Sequence, residues 1–128
     1  QYLDFYNERR KEAALRYTRL LQGHPNIITP KVIGACDSHV FHQYTLRIVN
    51  HDREGLVEYL NVHDIPCGVY YPVPLHAQKA YIDPEVDSEQ FPITNQLVKE
   101  VISLPMHSEL ELEQINYIAE KVLAYLNA

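Results

Sequence analysis

The sequence predicts an α/β domain of the α+β kind, in which a small three-stranded sheet, antiparallel or mixed, carries helices on one face. Amphipathic helical patterns lie at both ends of the chain. Between them, residues 40–49 alternate apolar and polar side chains with the period of two that is typical of a half-buried strand. Two shorter apolar runs that end at prolines complete the predicted element order α-β-α-β-α-β-α.

The first helix is predicted from Leu3 to Leu21, because apolar residues recur there at helical spacing while charged residues fill the other face. Gly23 and Pro25 end this helix. The following residues, 26–37, are predicted to form a loop. The helix should therefore pack along one stripe against the rest of the domain.

The clearest strand is predicted over residues 40–49. Tyr44, Leu46 and Ile48 would point to one face of the sheet, and polar side chains to the other. The remaining elements are predicted in this order: a short helix capped by Asp52 and ending near Asn61, a strand over residues 67–71, a helix that begins at Pro92, a strand over residues 102–105 and a helix over residues 112–126.

The composition is that of one folded domain with a negative net charge. Of the 128 residues, 46% are apolar and 22% are charged, which is enough apolar material for a core. The net charge of −6 argues against nucleic acid as the main partner. No run approaches the roughly 20 apolar residues that span a membrane. With two cysteines outside any C-x-x-C pair and no visible signal peptide, we expect a reduced, cytoplasmic setting.

The stretch from Gly68 to His76 is the strongest candidate for a binding loop. Its two prolines fix the backbone φ and lack an N–H, so the loop is stiff and cannot continue in a sheet. Tyr70 and Tyr71 should point in opposite directions, so that one packs and the other faces a pocket. His76 has two interpretations from the residues alone: a direct contact with a substrate or cofactor, or a polar contact with no catalytic partner.

Cys36, His39 and His42 form a C-x-x-H-x-x-H run that invites a metal interpretation. A zinc site needs four convergent ligands, or three and a water. No fourth ligand is evident nearby, and residues three apart on a strand point to opposite faces. We therefore predict no metal site and a hydrogen-bonded or solvent-facing histidine pair.

Several segments occur in an order that identifies a family. They are His42-Gln-Tyr-Thr-Leu-Arg47, Asp52-Arg-Glu-Gly-Leu-Val-Glu-Tyr-Leu60, Ile65-Pro-Cys-Gly-Val-Tyr-Tyr-Pro-Val-Pro-Leu-His76, Phe91-Pro92 and Leu104-Pro-Met-His107. Together they resemble the C-terminal small domain of the DegT/DnrJ/StrS family of pyridoxal-phosphate-dependent sugar aminotransferases. The third segment resembles the family's HYPxPxH motif, with Tyr70 where many members have His. The resemblance covers residues 39–126.

The resemblance implies a fold like the C-terminal domain of fold type I aminotransferases. Residues 1–25 would be a connecting helix from an N-terminal large domain, and residues 26–128 the small domain. It also implies a homodimeric enzyme that transfers an amino group, commonly from glutamate, to a nucleotide-linked keto sugar. In such an enzyme Tyr70, Tyr71 and His76 would line the entrance to the substrate site. Because the chain begins without Met and within a helical pattern, we expect it to be part of such a longer protein.

Pyridoxal phosphate is implied as the cofactor, held by a lysine of the large domain. The five lysines of this chain lie outside any segment that resembles the motif around that lysine: Lys11, Lys31, Lys79, Lys99 and Lys121. We therefore predict that this chain has no catalytic or cofactor-binding residue and does not turn over substrate by itself. Two alternatives stay open: a pyridoxal-phosphate-dependent sugar dehydratase of the same family, and a non-enzymatic regulatory protein.

Overall fold

Four α-helices and a three-stranded sheet make up the part of the chain that the structure describes. The computed structural model describes residues 2–34 and 38–128. In chain order the elements are α1 (Leu3–Leu21), β1 (Ile27–Ile28), β2 (Tyr44–Ile48), α2 (Arg53–Val62), 3-10 turns at Leu75–Ala77 and Ser88–Gln90, α3 (Pro92–Glu100), β3 (Val101–Leu104) and α4 (Leu112–Leu126). The sheet is antiparallel throughout, in the order β1-β2-β3. The predicted α+β class and three-stranded sheet are confirmed.

One strand lies elsewhere in the sequence than predicted, so the element order α-β-α-β-α-β-α is wrong. Residues 67–71 form no strand, and only Gly68 pairs with the sheet, through a bridge to Ser103. The ladder cannot extend backwards from Gly68, because Pro66 has no N–H to donate. The missing strand is Ile27–Ile28, which pairs with β2 although its segment was predicted as a loop. Two residues are too few to show a period.

The strand predicted over residues 40–49 is also shorter than expected. Phe41 has a φ of 47°, in the left-handed region, which no strand residue can adopt. The extended strand therefore begins only at Tyr44 and ends at Ile48.

The core lies between one face of the sheet and helices α1, α2 and α4. Tyr44, Leu46 and Ile48 are buried, as their alternation predicted. They join a single cluster with buried residues of the helices and β3, among them Ala14, Tyr17, Leu21, Leu56, Leu60, Ile102, Ile115 and Val122. Within residues 2–34 and 38–128, no helix is both long and apolar enough to cross a membrane.

The opposite face of the sheet is polar and half-exposed. Thr45 Oγ1 and Ser103 Oγ lie 2.8 Å apart across the β2–β3 pair. Arg47 forms an ion pair with Glu100 at 2.7 Å. Burial by itself would raise the pKa of Glu100, but hydrogen bonds from Gln96 and Arg47 and the positive charge of Arg47 bring this pKa below its usual value. The sheet is thus two-sided, with an apolar face toward the helices and a polar face away from them.

Helix α2 begins at the predicted cap and contains one glycine that its packing requires. Asp52 Oδ1 accepts a hydrogen bond from the Gly55 N–H at 3.0 Å. A Cβ at Gly55 would overlap both the Tyr125 hydroxyl and the Asp52 carboxylate. Burial raises the pKa of Tyr125, and the neighbouring Asp52 carboxylate raises it further. The hydroxyl of Tyr125, on α4, therefore lies against α2 at the place where α2 has no side chain.

We expect the Gly55→Ala variant to lose about 1–3 kcal/mol of the free energy of unfolding, because its methyl group must displace Tyr125 or the capping carboxylate. This loss would exceed the gain of roughly 1 kcal/mol that alanine brings to a helix interior. Urea unfolding measures the difference. Asn61→Ala, at an exposed position of the same helix, is the control and should change stability by less than about 0.5 kcal/mol. A Gly55→Ala variant as stable as the parent would contradict the close approach.

Candidate functional site

The predicted binding loop leaves the sheet immediately after Gly68. Gly68 and Ser103 exchange two backbone hydrogen bonds, at 3.0 and 2.7 Å. The chain then passes two prolines and enters the 3-10 turn Leu75–Ala77, where the Ala77 N–H donates to the Pro74 carbonyl at 3.0 Å. Side chains between Gly68 and Ala77 therefore project from a backbone that is fixed at both ends.

Tyr70 packs against the backbone of Gly68. A Cβ at Gly68 would lie 2.5 Å from Tyr70 Cζ, so this approach requires glycine. The Tyr70 side chain is still 49% exposed and borders a cavity of about 310 Å³ at the end of the β2–β3 pair. Other residues that line this cavity are His42, Gln43, Cys67, Ser103 and Met106. Burial raises the pKa of the Cys67 thiol, which is a free cysteine.

Tyr71 is 73% exposed and contacts Tyr70 edge to face, with ring centroids 6.0 Å apart. It borders a depression of about 420 Å³ together with Leu75 and Val98, and most of the surface of this depression is apolar. Tyr70 thus packs while Tyr71 is uncovered. Strand alternation is not the cause, since no strand reaches these residues. Instead, Tyr70 packs on the Gly68 backbone, and Tyr71 stays exposed beside it.

His76 is held against the beginning of α3. Its Nε2 lies 3.1 Å from Asn95 Oδ1, and its ring stacks on Phe91 with centroids 4.6 Å apart and planes at 18°. Asn95 Nδ2 also donates to the Ser88 carbonyl at 2.7 Å. Asn95 was not predicted as part of the site, because a contact across 19 residues leaves no periodic pattern in the sequence. Phe91 was noted only as part of a family-like Phe-Pro pair.

The three predicted residues form a surface suited to binding. Tyr70 and Tyr71 offer aromatic rings with polar tips, and His76 offers a hydrogen-bonding ring on the same loop. Among the residues that the structure describes, no carboxylate, cysteine or second histidine makes a hydrogen bond to His76. The loop therefore presents no acid–base pair within hydrogen-bond reach.

The lysines of the chain do not fit the attachment site of pyridoxal phosphate. A lysine that attacks a carbonyl group is activated by a desolvated pocket or a neighbouring cation. Lys11 bonds Glu8 at 2.8 Å, and Lys121 lies over the Tyr117 ring at 5.3 Å from its centroid. The other three lysines are exposed at the surface: Lys31, Lys79 and Lys99. We therefore derive no chemical step through this cofactor from the residues of this chain.

The C-x-x-H-x-x-H run is not assembled into a metal site by the described residues. Cys36 lies outside them, so the prediction that the run binds no metal is not tested. His39 Nδ1 accepts a hydrogen bond from the Phe41 N–H at 3.1 Å, whereas His42 borders the cavity next to Tyr70. Across residues 2–34 and 38–128, no three His, Cys, Asp or Glu side chains are grouped so that they could hold a metal ion.

Known proteins similar to this chain include sugar aminotransferases. The chain is 38% identical over 126 residues to a pleiotropic regulatory protein of Geobacillus stearothermophilus, covering 97% of this chain and 33% of that protein. It is 36% identical over 124 residues to the dTDP-3-amino-3,6-dideoxy-alpha-D-galactopyranose transaminase of Aneurinibacillus thermoaerophilus, covering 97% and 32%. Its fold matches that of S. venezuelae DesV with a TM-score of 0.91 at 29% identity, covering 99% of this chain and 33% of that chain.

The chain spans about a third of the length of these curated relatives. The sequence pattern of one family matches residues 1–123, which is nearly the whole chain. The agreement of sequence, fold and motif order therefore places this chain in the DegT/DnrJ/EryC1/StrS aminotransferase family.

Proposed function

We propose that this chain is the C-terminal small domain of a pyridoxal-phosphate-dependent aminotransferase that acts on a nucleotide-linked keto sugar. The observation that carries the proposal is the uncovered turn with Tyr70, Tyr71 and His76, in a chain that belongs to this aminotransferase family. A relative of which the chain spans about a third is named as a transaminase of a dTDP-linked amino sugar, which supports this class of substrate.

Residues 1–25 would connect this domain to a large domain, and residues 26–128 would form the small domain. The exposure of α1 supports this division. Tyr2, Leu3 and Phe5 at the start of the helix are 61–69% exposed, whereas Tyr17 and Leu21 near its end are fully buried. A cluster of large exposed apolar residues marks a surface that another domain covers. The large domain would cover the first turns of α1.

The large domain would also bind the cofactor, which supplies an electron sink for the transfer of the amino group. The residues of this chain would contact the substrate. Tyr71 would pack on a ring of the nucleotide-sugar, Tyr70 would close the cavity beside it, and His76 would make a hydrogen bond. We further propose that the whole enzyme takes its amino group from glutamate and works as a homodimer in the cytoplasm, in keeping with the family resemblance.

A regulatory role is the second candidate, because the Geobacillus relative is named a pleiotropic regulatory protein. Direct regulation through DNA would need a basic face that follows the phosphates, and the net charge of −6 argues against it. A filter-binding assay at low salt distinguishes the two roles. Specific retention of duplex DNA by the full-length protein, with no aminotransferase activity, would favour regulation.

We expect Tyr71→Ala and His76→Ala in the full-length enzyme each to lower kcat/KM for the nucleotide-sugar by roughly tenfold to 100-fold, because each removes a group that positions the substrate. Steady-state kinetics with the sugar varied gives the change. Tyr117→Ala is the control, because Tyr117 is an exposed tyrosine of α4 that is not on the turn, and its kcat/KM should stay close to that of the parent. Unchanged substrate affinity and turnover in both turn variants would contradict the proposed contacts.

A further inference from the structure

A chain of hydrogen bonds that begins at a backbone carbonyl sets the orientation of His76. The Ser88 carbonyl oxygen can only accept, so the Asn95 amide nitrogen, 2.7 Å away, must be the donor. The Asn95 Oδ1 atom then faces His76 Nε2 at 3.1 Å. An amide oxygen can also only accept, so Nε2 of His76 must carry a proton. The tautomer of His76 thus follows from the partners of Asn95.

We propose that Asn95 is a positioning residue that holds neutral His76 in the Nε2–H tautomer and leaves Nδ1 as a lone-pair acceptor for the ligand. The inference rests on the proposed function of His76 as a substrate contact. The stack on Phe91 fixes the plane of the ring, and the bond to Asn95 fixes its rotation within that plane. In the part of the chain that the structure describes, Nδ1 makes no hydrogen bond.

The tautomer determines which chemical group His76 can bind. A neutral imidazole with its lone pair on Nδ1 accepts a hydrogen bond from a hydroxyl group, and it cannot donate one to a phosphate oxygen from that atom. The group of the nucleotide-sugar that contacts His76 Nδ1 is therefore a hydrogen-bond donor, a hydroxyl or an N–H group. The phosphates of the same substrate would need other donors.

Asn95 also holds two parts of the loop together through its hydrogen bonds. This ordering of the loop must be distinguished from the selection of the His76 tautomer. Asn95 binds His76 near the start of the loop and the Ser88 carbonyl near its end. A residue that only orders the loop would act through the Ser88 bond. A residue that sets the tautomer acts through the oxygen that faces Nε2. Asn95→Asp removes the bond to Ser88 alone, whereas Asn95→Leu removes both bonds, so the difference between the two variants reports the bond to His76.

Long-range nitrogen–proton NMR of the nitrogen-15-labelled chain, at about pH 8.5 where imidazole is neutral, reports the tautomer of His76 directly. We expect the parent to show a protonated Nε2. Asn95→Leu has a similar volume but no acceptor, and we expect the ratio of Nε2–H to Nδ1–H to fall about fivefold or more. Asn95→Asp keeps an oxygen toward Nε2 and loses the donor to Ser88, so it should keep the Nε2–H form.

Asn116→Leu is the matched control, because Asn116 Oδ1 accepts from Arg16 at 2.8 Å on another part of the surface. It should leave the His76 ratio unchanged. A parent His76 protonated on Nδ1, an unchanged ratio in Asn95→Leu, or an equal loss of the Nε2–H form in Asn95→Asp and Asn95→Leu would each overturn the proposal. The measurement needs neither substrate nor cofactor, so its failure is distinguishable from failure of the proposed function.

Discussion

Replacing Tyr17 with alanine is expected to lower the free energy of unfolding by about 3–5 kcal/mol. Tyr17 is fully buried, and its ring stacks on that of Tyr44 with centroids 5.0 Å apart. Its hydroxyl donates to the Pro105 carbonyl at 3.1 Å. Alanine would open a cavity in the centre of the core, remove the stacked pair and leave this carbonyl without its donor.

The same pair of tyrosines should make the fold sensitive to alkali. Burial raises the pKa of Tyr17 far above the usual value of 10.0, and the nearby Tyr44 phenol raises this pKa further. Burial also raises the pKa of Tyr44, against an opposing hydrogen bond with Thr18. Above pH 10 the unfolded chain releases these protons while the folded chain keeps them. Stability is therefore complete below about pH 10 and falls as the pH rises beyond it.

Urea unfolding at neutral pH and at about pH 11 tests both effects. Tyr17→Phe keeps the ring and removes the titrating group, so it should lose only about 1 kcal/mol at neutral pH and decline less steeply at high pH. Tyr117→Phe, at an exposed site, should behave as the parent does. If the parent and Tyr17→Phe lost stability in parallel above pH 10, the buried phenol would not be the cause.

The helices at the two ends of the chain could be predicted to within a residue. Their apolar residues recur over fifteen or more positions, and local residues mark their ends. The sequence pattern is therefore enough to predict both the helices and their bounds. The strand Ile27–Ile28 could not be predicted, because two residues carry no period and their pairing with β2 is decided by distant packing. Gly68 shows the converse case, since a strand-like sequence pairs with the sheet through a single bridge, and Pro66 prevents the ladder from continuing before it.

Some features of the candidate site could likewise be predicted from the sequence, and others could not. The stiffness of the turn follows from local sequence, since two prolines keep the segment out of the sheet. Which of the two tyrosines is exposed does not follow from it, because the packing of Tyr70 on Gly68 decides this. The partners of His76 do not follow from it. Asn95 and Phe91 reach His76 only because α3 begins beside the turn, and α3 is placed by contacts at its other end. A pattern of hydrophobic residues reports which face of an element is buried and gives no information about its polar partners.

Arg53 makes the contacts at the other end of α3, and we expect Arg53→Met to cause the second large loss in the free energy of unfolding. Arg53 is only 6% exposed, and its guanidinium donates to the Val98 and Val101 carbonyls at 3.1 and 3.3 Å. It also pairs with the exposed Glu54 at 2.7 Å. Its Nε is buried with no hydrogen-bond partner among the described residues. The hydrogen bonds of the guanidinium therefore do not offset the whole free energy that its desolvation costs.

Methionine would fill the volume of the arginine stem but leave the carbonyls of Val98, near the end of α3, and Val101, at the start of β3, without a donor, at an expected cost of about 2–4 kcal/mol. Because α3 also carries Asn95, the loss of stability should reach the partner of His76. In Arg53→Met, hydrogen exchange of the α3 amides should speed up relative to the parent more than that of the α1 amides. Arg19→Met is the control, since Arg19 lies at an exposed position of α1 and its replacement should change stability by less than about 0.5 kcal/mol. Equal losses in the two variants would mean that Arg53 does not anchor α3, and the orientation of His76 would then depend on the loop alone.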